Sequence, residues 1–369
     1  MEKIVDIIDS IAHEKGLPVE QVTEAIKKAF ANTAKYVLGE DKEFEAEINP
    51  ETKRIEVFQK ILVVEDGDER AKENPDRYIE LSEAKEYDPD VEVGDELRSP
   101  VDFEKLGRTA AMRLHNEIEY HIQRLIEDQL FEKYKQKVGT IVSGTVTRVD
   151  AEENTYLDID EVKGILPRRY RIKGESFKPG DVVKAILRRV TVDKTHGFYL
   201  ELSRTTPKFL EELLKLEVPE IKDGLVTVEK VARIPGERAK VAVASHSPKI
   251  DPVGACVGVK GVRINAVSRE LNGENIDCIE YSPIPEIFVS RALSPAIITS
   301  VKIEGEKAIV TLPPDQKSKA IGKNGINIRL ASMLTGYEIE LVEKGDAIES
   351  KEEQKEEAPK ITLADLFKE

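Results

Sequence analysis

A short glycine-containing segment that occurs twice constrains this chain of 369 residues more than any other feature. The first copy runs from Val257 to Ile264, and the second, about 64 residues later, from Ile321 to Ile328. Each copy holds a Gly-x-x-Gly turn between apolar residues that predict the end of one helix and the start of the next. Glycines let a ligand approach the backbone, and the following helix directs free amides and its positive dipole end to the same place. The pattern therefore predicts two sites that accept an anion.

The duplication extends beyond the turns, because similar helices and strands surround each of them. The predicted elements are the helices Lys208 to Leu216 and Pro285 to Leu293, the first strands Leu225 to Arg233 and Ile297 to Glu304, the second strands Arg238 to Ser245 and Lys307 to Leu312, and the closing strands Ile276 to Glu280 and Ile339 to Glu343. The order helix, strand, strand, helix, turn, helix, strand thus occurs twice. This order, with its turn, resembles the prokaryotic (type II) KH module, which binds nucleic acid.

The two cysteines align in the repeat with apolar residues. Cys256 aligns with Ala320, and Cys278 aligns with Leu341, so we expect both cysteines to be small core residues. Neither has a partner cysteine or a histidine at the short spacing of a disulfide or zinc site. The five histidines are scattered along the chain. The sequence therefore predicts no metal site and no cofactor.

In residues 138–205 the sequence pattern changes to short strand-like runs separated by glycine, proline and charged turns. The runs are Val138 to Val149, Thr155 to Asp160, Gly164 to Leu166, Asp181 to Val192 and Phe198 to Ser203. Five strands in about 65 residues predict an OB-type β-barrel. The run Phe177 to Val183 and the ending Leu200 to Arg204 resemble the S1 version of that barrel.

Barrels of this kind usually bind single strands by stacking bases on exposed aromatic side chains. Strand alternation sends Leu157 inward and Tyr156 outward, which makes Tyr156 a stacking candidate. Phe198 and Tyr199 point to opposite faces of their strand. In an alternative interpretation, Phe177 and one of these two side chains simply fill the barrel.

The net charge of −15 is unevenly distributed along the chain. Residues 1–137 contain 21 Lys/Arg and 34 Asp/Glu, residues 138–344 contain 31 and 29, and residues 345–369 contain 4 and 8. Within the middle block, residues 168–189 hold eight basic and two acidic side chains, a patch that suits phosphate. The candidates for phosphate contact from this patch are Arg168, Arg169 and Arg171.

The acidic first third predicts an α/β domain that docks a protein. Apolar residues at helical spacing predict helices over Glu2 to Glu14 and Val19 to Val37, and a long helix from Phe103 to about Tyr134. A hairpin is predicted between Lys42 to Asn49 and Arg54 to Val64. The surplus of carboxylates in this third would repel phosphate, so we expect no nucleic-acid contact here.

The order of docking domain, S1 barrel and two type II KH domains resembles the NusA family of bacterial transcription elongation and termination factors. The phrases that carry the resemblance are Phe103 to Ala111, Arg233 to Val243, Asp251 to Gly258, Glu270 to Asp277 and Ala320 to Ala331. The resemblance implies binding to RNA polymerase through residues 1–137 and to single-stranded nascent RNA through the barrel and KH modules. It also implies modulation of pausing, termination and antitermination, alongside other antitermination factors as partners.

The resulting prediction is a multidomain α+β chain. Its domains are an N-terminal RNA polymerase-docking domain (1–137), an S1 domain (138–205), KH domain 1 (206–282), KH domain 2 (283–344) and a disordered acidic linker and tail (345–369). The duplicated acidic helical domains of the longest family members are absent. No apolar run approaches the roughly 20 residues that span a bilayer, and the first residues do not resemble a signal peptide. We therefore expect a cytoplasmic monomer without membrane contact.

The two glycine turns supply most of the RNA-binding candidates. These candidates are Gly258, Val259, Lys260, Gly261, Arg263, Gly322, Lys323, Asn324, Gly325 and Arg329. The predicted function is not enzymatic. Two alternatives remain open, an RNA-processing enzyme such as a nuclease and a ribosome-assembly or RNA-chaperone adaptor. Against the enzyme, the Asp158/Asp160 pair lacks further ligands, and no phosphate-binding loop of the Gly-x-x-x-x-Gly-Lys-Ser/Thr kind occurs.

Overall fold

The computed structural model of the protein describes residues 4–193 and 197–343. The chain divides into two compact units, residues 1–136 and residues 137–369. Within the described ranges, no helix is long and apolar enough to cross a membrane. The predicted acidic tail, residues 345–369, lies outside the described residues.

The first unit packs helices against a four-stranded sheet in which the second strand is central. Its elements are α1 (Ile4–Lys15), α2 (Val19–Leu38), β1 (Glu43–Ile48), β2 (Ile55–Val64), α3 (Glu69–Glu73), β3 (Tyr78–Glu80), α4 (Leu81–Tyr87), β4 (Glu96–Val101) and α5 (Gly107–Lys135). Strands β1 and β4 pair antiparallel with β2, and β3 pairs parallel with it. Apolar residues of α1, α2 and α5 form one core with β1 and β2.

The long helix predicted from Phe103 begins four residues later than expected. Phe103–Leu106 is a short 3₁₀ helix, and α5 then runs without interruption to Lys135. The break lies at Gly107, whose φ of 79° and ψ of −168° are not helical. Phe103 instead packs its ring against Phe30 of α2, with ring centroids 4.9 Å apart. The sequence pattern thus predicted the helix correctly but missed the turn that anchors its start.

Five strands of the second unit close into a barrel in the order β5-β6-β7-β9-β8. They are β5 (Ile141–Val149), β6 (Thr155–Ile159), β7 (Val162–Leu166), β8 (Val182–Asp193) and β9 (Gly197–Ser203). The chain needs glycine at two barrel positions, since a Cβ on Gly144 or Gly164 would lie 2.7 or 2.5 Å from the side chain of Ile159. The structure confirms the predicted OB-type barrel.

Two KH domains follow, and they share one topology. The first comprises α6 (Pro207–Glu217), α7 (Pro219–Lys222), β10 (Val226–Ile234), β11 (Arg238–Ser245), α8 (Pro252–Val257), α9 (Val262–Glu270) and β12 (Asn275–Glu280). The second comprises α10 (Pro285–Ala292), β13 (Ser300–Glu304), β14 (Lys307–Leu312), α11 (Pro314–Ile321), α12 (Ile326–Thr335) and β15 (Glu338–Glu343). In each, the middle strand pairs antiparallel with the first and parallel with the third. The duplication read from the sequence is confirmed.

A buried ion-pair cluster joins the barrel to the first KH domain. Arg204, which follows β9, donates to Glu175 of the barrel at 2.7 Å and to the carboxylate of Glu270 in α9 at 3.0 Å. Apolar residues of the barrel, Ile172 and Ile186, belong to the core of the first KH domain. The barrel and this domain therefore pack as one body.

The two KH domains also share a hydrophobic core. Ala232, Ala242 and Ile279 of the first domain pack with Phe288 and other buried residues of the second. This arrangement fits the short connection between β12 and α10, which leaves little room for the domains to separate. We therefore treat the barrel and the two KH domains as one continuous surface.

Both cysteines lie in the core of the first KH domain, as their alignment in the repeat predicts. Cys256 is fully buried, and Cys278 is half-buried. The neighbouring Cys256 thiol, together with burial, raises the pKa of Cys278. The spacing of the cysteines in the sequence did not reveal that they are neighbours, because α8 and β12 meet only in the folded domain.

Candidate nucleic-acid interface

The two glycine turns have the same backbone geometry. In the second turn, Gly322 has a φ of 74°, Asn324 a φ of 55° and Gly325 a φ of 73°. In the first turn, the corresponding values are 72° at Gly258, 53° at Lys260 and 76° at Gly261. Each turn therefore reverses the chain through left-handed conformations, which glycine adopts without strain.

The first glycine of each turn is also required by close packing. A Cβ on Gly322 would lie 2.7 Å from the Cβ of Asn327, and a Cβ on Gly258 would lie 2.9 Å from Cγ of Arg263. No heavy atom outside the immediate neighbours lies within 4 Å of a Cβ built on Gly325. In both turns the first glycine thus fixes the contact with the next helix, whereas Gly325 in the second turn supplies only its conformation.

The variable residues of both turns are exposed, as are the polar groups that follow them. Val259 is 82% exposed, and Lys260, Lys323 and Asn324 are also exposed. Arg329 is exposed on α12, one turn of helix after the glycine turn. Helices α9 and α12 begin directly after the turns, so their positive ends lie beside the exposed residues. Each turn thus presents exposed side chains and the start of a helix to solvent, an arrangement that suits an anion.

Arg263, a predicted RNA contact, is instead engaged within the protein. Its guanidinium donates to Glu220 of α7 at 2.8 Å and to the backbone oxygen of Ala255 at 2.7 Å. Asn327 takes the same place in the second domain and donates to the backbone oxygens of Lys319 and Ala320. Both side chains therefore fix the end of the helix before the turn. The sequence contained this signal, since both copies carry a polar residue at this aligned position.

The stacking candidate on the barrel is partly covered by its neighbours. The guanidinium of Arg148 lies 3.6 Å from the centroid of the Tyr156 ring, and the Tyr156 hydroxyl donates to Asp150 at 3.2 Å. Burial and the hydrogen bond to Asp150 raise the pKa of Tyr156. The ring does face outward from the barrel, as alternation predicts, but a base would have to stack beside Arg148 or displace it.

The three arginines predicted to contact phosphate differ in how far their side chains are engaged within the protein. Arg171 donates to the backbone oxygens of Glu153 and Glu175, so it ties two loops together. Arg168 is exposed and pairs with the Glu153 carboxylate at 2.9 Å. Arg169 is exposed and lies over the ring of Tyr170 at 4.8 Å. Arg168 and Arg169 therefore remain accessible to phosphate, and Arg171 supports the loop behind them.

A tyrosine in contact with two arginines is a feature of the barrel that the sequence did not predict. The guanidinium groups of Arg169 and Arg188 lie 4.8 and 4.6 Å from the centroid of the Tyr170 ring. Arg188 also pairs with Glu201, which is almost completely buried. Burial alone would raise the pKa of Glu201, but hydrogen bonds from Arg189 and Arg188 outweigh it and leave that pKa lowered. The cluster presents cations and an aromatic ring together, the combination that single-stranded nucleic acid favours.

The described part of the chain contains no group of three or more His, Cys, Asp or Glu side chains placed to hold a metal ion. His196, which the sequence places in the turn before β9, lies outside the described residues.

An OB-type barrel followed by two packed KH domains with exposed glycine turns defines an RNA-binding protein with several nucleic-acid modules. Family models match three segments of the chain. The NusA N-terminal domain matches residues 3–128, the NusA-like first KH domain residues 204–281, and the NusA-like second KH domain residues 285–349.

Relatives match along nearly the whole chain. A protein from Helicobacter pylori named transcription termination/antitermination protein NusA is 45% identical over 100% of both chains. Proteins of the same name from Thermus thermophilus and Bacillus subtilis are 40% and 34% identical, over 92% and 94% of this chain and 90% and 92% of theirs. The chain belongs to the NusA family of transcription termination/antitermination proteins.

Proposed function

We propose that this protein binds RNA polymerase through residues 1–137 and guides single-stranded nascent RNA across the barrel and both KH domains. Through these two attachments it modulates pausing, termination and antitermination, without catalysing a reaction. Such a protein would act in the cytoplasm as a monomer beside other antitermination factors. Membership of the family and the match of residues 3–128 to its N-terminal domain support the polymerase contact.

The observation that carries the RNA contact is the pair of equivalent glycine turns on one packed body. Each turn presents an exposed lysine, and each is followed by the positive end of a helix of nine or ten residues. Because the two KH domains share a core, a strand of RNA that contacts one turn can continue to the other without crossing a flexible linker. Arg168 and Arg169 extend the basic surface onto the barrel.

The RNA contact is tested by replacing Val259-Lys260 and Lys323-Asn324 with Asp-Asp, separately and together. We expect each change to weaken RNA binding sharply in a gel-shift titration, because the new carboxylates repel phosphate, while circular dichroism shows an intact fold. A matched control places Asp-Asp at Lys35-Tyr36, an exposed pair on α2 of the first unit, where the same change of charge falls on a part of the chain with no proposed RNA contact. Unchanged affinity in the double replacement would reject the assignment.

The polymerase contact is tested by co-purification from a bacterial lysate. A tagged full-length chain should retain RNA polymerase after nuclease treatment, and a chain that starts at Lys137 should not. If the intact chain instead retains only ribosomal particles, it is an adaptor of ribosome assembly rather than a transcription factor.

A further inference from the structure

The second glycine turn faces the first KH domain across a cavity of about 370 Å³. Both domains line it. The residues are Glu237, Arg238 and Asn275 of the first domain and Gly322, Lys323, Asn324, Ile326 and Asn327 of the second. The volume lies near the lower end of the range for small-ligand sites, roughly 300 to 1,000 Å³. The cavity is therefore large enough for one nucleotide unit rather than for a folded partner.

The side of the cavity formed by the second domain suits a phosphate. Lys323 is exposed and forms no ion pair among the described residues, and α12 begins three residues after it. Asn327 is 4% exposed, and its side-chain nitrogen already donates to three backbone oxygens. Its Oδ1 accepts no hydrogen bond within the described part of the chain. This unused atom is a buried acceptor, so the phosphate contact depends on Lys323 and the start of α12 and not on Asn327.

The side formed by the first domain carries an exposed acid, Glu237, next to a base, Arg238. Glu237 lies in the turn between β10 and β11, and its carboxylate forms no hydrogen bond or ion pair with any described residue. The neighbouring Arg238 does not pair with it, because Nε and Nη2 of the Arg238 guanidinium donate to Asp277, at 2.7 and 3.0 Å. The side-chain amide of Asn275 also lines the cavity and has no partner among the described residues.

A free carboxylate near a phosphate-binding turn repels RNA unless it accepts hydrogen bonds from a base. A carboxylate offers two acceptor oxygens side by side. Among the four bases, guanine presents two adjacent donors on its pairing edge, N1–H and the N2 amino group. We propose that this cavity receives one nucleotide of the bound RNA and selects guanine, with the phosphate at Lys323-Asn324 and the base edge at Glu237. The proposal rests on the RNA-binding function proposed above.

The internal duplication supplies a matched control residue. The backbone oxygen of Glu237 accepts from Asn275 N at 3.2 Å, and the backbone oxygen of Glu306 accepts from Glu338 N at 2.9 Å. Glu306 therefore has the place in the second domain that Glu237 has in the first. Glu306 is exposed but does not line the cavity. Glu306→Gln removes the same charge from an equivalent turn without touching the proposed base site.

The experiment measures the affinity of the full chain for RNA by fluorescence anisotropy. The probes are a 12-nucleotide oligouridine and the same oligomer with a single central G, A or C. The intact protein should bind the single-G probe about tenfold more tightly than oligouridine, as one good bidentate contact provides. Glu237→Gln and Glu237→Ala should reduce this preference to less than about twofold, while the affinity for oligouridine changes by less than about twofold. Glu306→Gln should keep the tenfold preference.

The outcomes separate this inference from the function on which it rests. If the intact chain binds none of the probes, the proposed RNA binding itself is wrong. If it binds all four equally, or if the Glu237 variants keep the guanine preference while circular dichroism shows them folded, only the guanine site is wrong. An equal loss in Glu306→Gln would assign the effect to charge rather than to the cavity. Binding of GMP alone as tight as that of the single-G probe would make the cavity a free-nucleotide site and overturn the proposal.

Discussion

Lys240 of the first KH domain donates a hydrogen bond from Nζ to the backbone oxygen of Ser294 in the second, at 2.8 Å. The lysine is fully buried, and Asp277 lies 3.5 Å from the same nitrogen. Burial lowers the pKa of Lys240, and the Asp277 carboxylate opposes that change. The register of the second domain places Ile309 where the first has Lys240. The first domain therefore has a buried lysine at this position, where it contacts the second domain, and the second domain has an apolar residue there.

We expect Lys240→Ala to reduce the free energy of unfolding of the second unit by about 2 to 4 kcal/mol, since it removes a buried stem and leaves the Ser294 oxygen unpaired. Lys240→Met keeps most of the volume and should cost about half as much. Urea denaturation of both variants checks this expectation. A larger loss in Lys240→Met than in Lys240→Ala would show that packing does not account for the joint.

The buried pair Arg233–Glu274 gives a second prediction about stability. Both side chains are completely buried, with Arg233 Nε 2.8 Å from Glu274 Oε1. Glu274 also accepts from the amide of Gly236, and Arg233 donates to the backbone oxygens of Arg204 and Thr206. Glu274→Ala should destabilise the second unit by about 3 to 5 kcal/mol, because it leaves a buried charge unpaired.

The double replacement Arg233→Met with Glu274→Leu tests whether the loss of stability in Glu274→Ala comes from the unpaired charge of Arg233. It should be more stable than Glu274→Ala alone, since no isolated charge remains. Thermal denaturation of the single and double variants provides the comparison. If the double variant is the less stable of the two, the hydrogen bonds that Arg233 donates to the backbone oxygens of Arg204 and Thr206 outweigh the cost of its unpaired charge.

Periodicity and duplication predicted the elements of this chain well, because both report local structure. The barrel strands and both copies of the KH order were predicted to within a few residues. Side-chain partners were harder to foresee, since they depend on which elements meet. Arg263 is a basic residue beside a glycine turn and was predicted to contact RNA, yet α7 brings Glu220 to it. Similarly, nothing local distinguishes the buried Lys240 from a solvated strand lysine.

The cavity between the KH domains could not be predicted for the same reason. Glu237 and Lys323 are far apart in the sequence, and their proximity depends on how two domains pack around a shared core. The exposed residues of the turns, by contrast, were identified from the Gly-x-x-Gly pattern alone. The residues of a single turn can thus be predicted from the sequence, whereas a site formed by two domains can be identified only from the fold.

The two glycines of the second turn should differ in their tolerance of alanine. Gly322→Ala adds a Cβ that would lie 2.7 Å from the Cβ of Asn327, in addition to the strain of a positive φ. Gly325→Ala meets no such atom and carries only the conformational strain, about 1 to 2 kcal/mol. We therefore expect the larger loss of stability, by urea denaturation, at Gly322. Equal losses at both positions would mean that α12 shifts to relieve the contact.

Glu201 should make the stability of the barrel depend on pH. Its pKa is lowered in the folded protein by Arg189 and Arg188 despite burial, so the ionised form is favoured in the fold. This stabilisation is present above the ordinary pKa of 4.5 and is lost as the pH falls through the folded value. Glu201→Gln should flatten the dependence of stability on pH below about 5. The control Glu306→Gln, which removes an exposed carboxylate, should leave that dependence unchanged. Urea midpoints measured from pH 7 downward provide the test.

The two turns differ at their first variable position, where the first has Val259 and the second has Lys323. Both residues are exposed, and the backbones of the two turns agree, so Val259→Lys should not strain the fold. We expect it to tighten RNA binding and to steepen the plot of log affinity against log salt by about 0.7, the value for one additional contact with a single-stranded phosphate. Met112→Lys, at an exposed position on α5, adds the same charge to the first unit, where no RNA contact is proposed, and should leave the slope unchanged. An equal rise in slope for both variants would mean that RNA responds to the total charge of the protein and not to the turn.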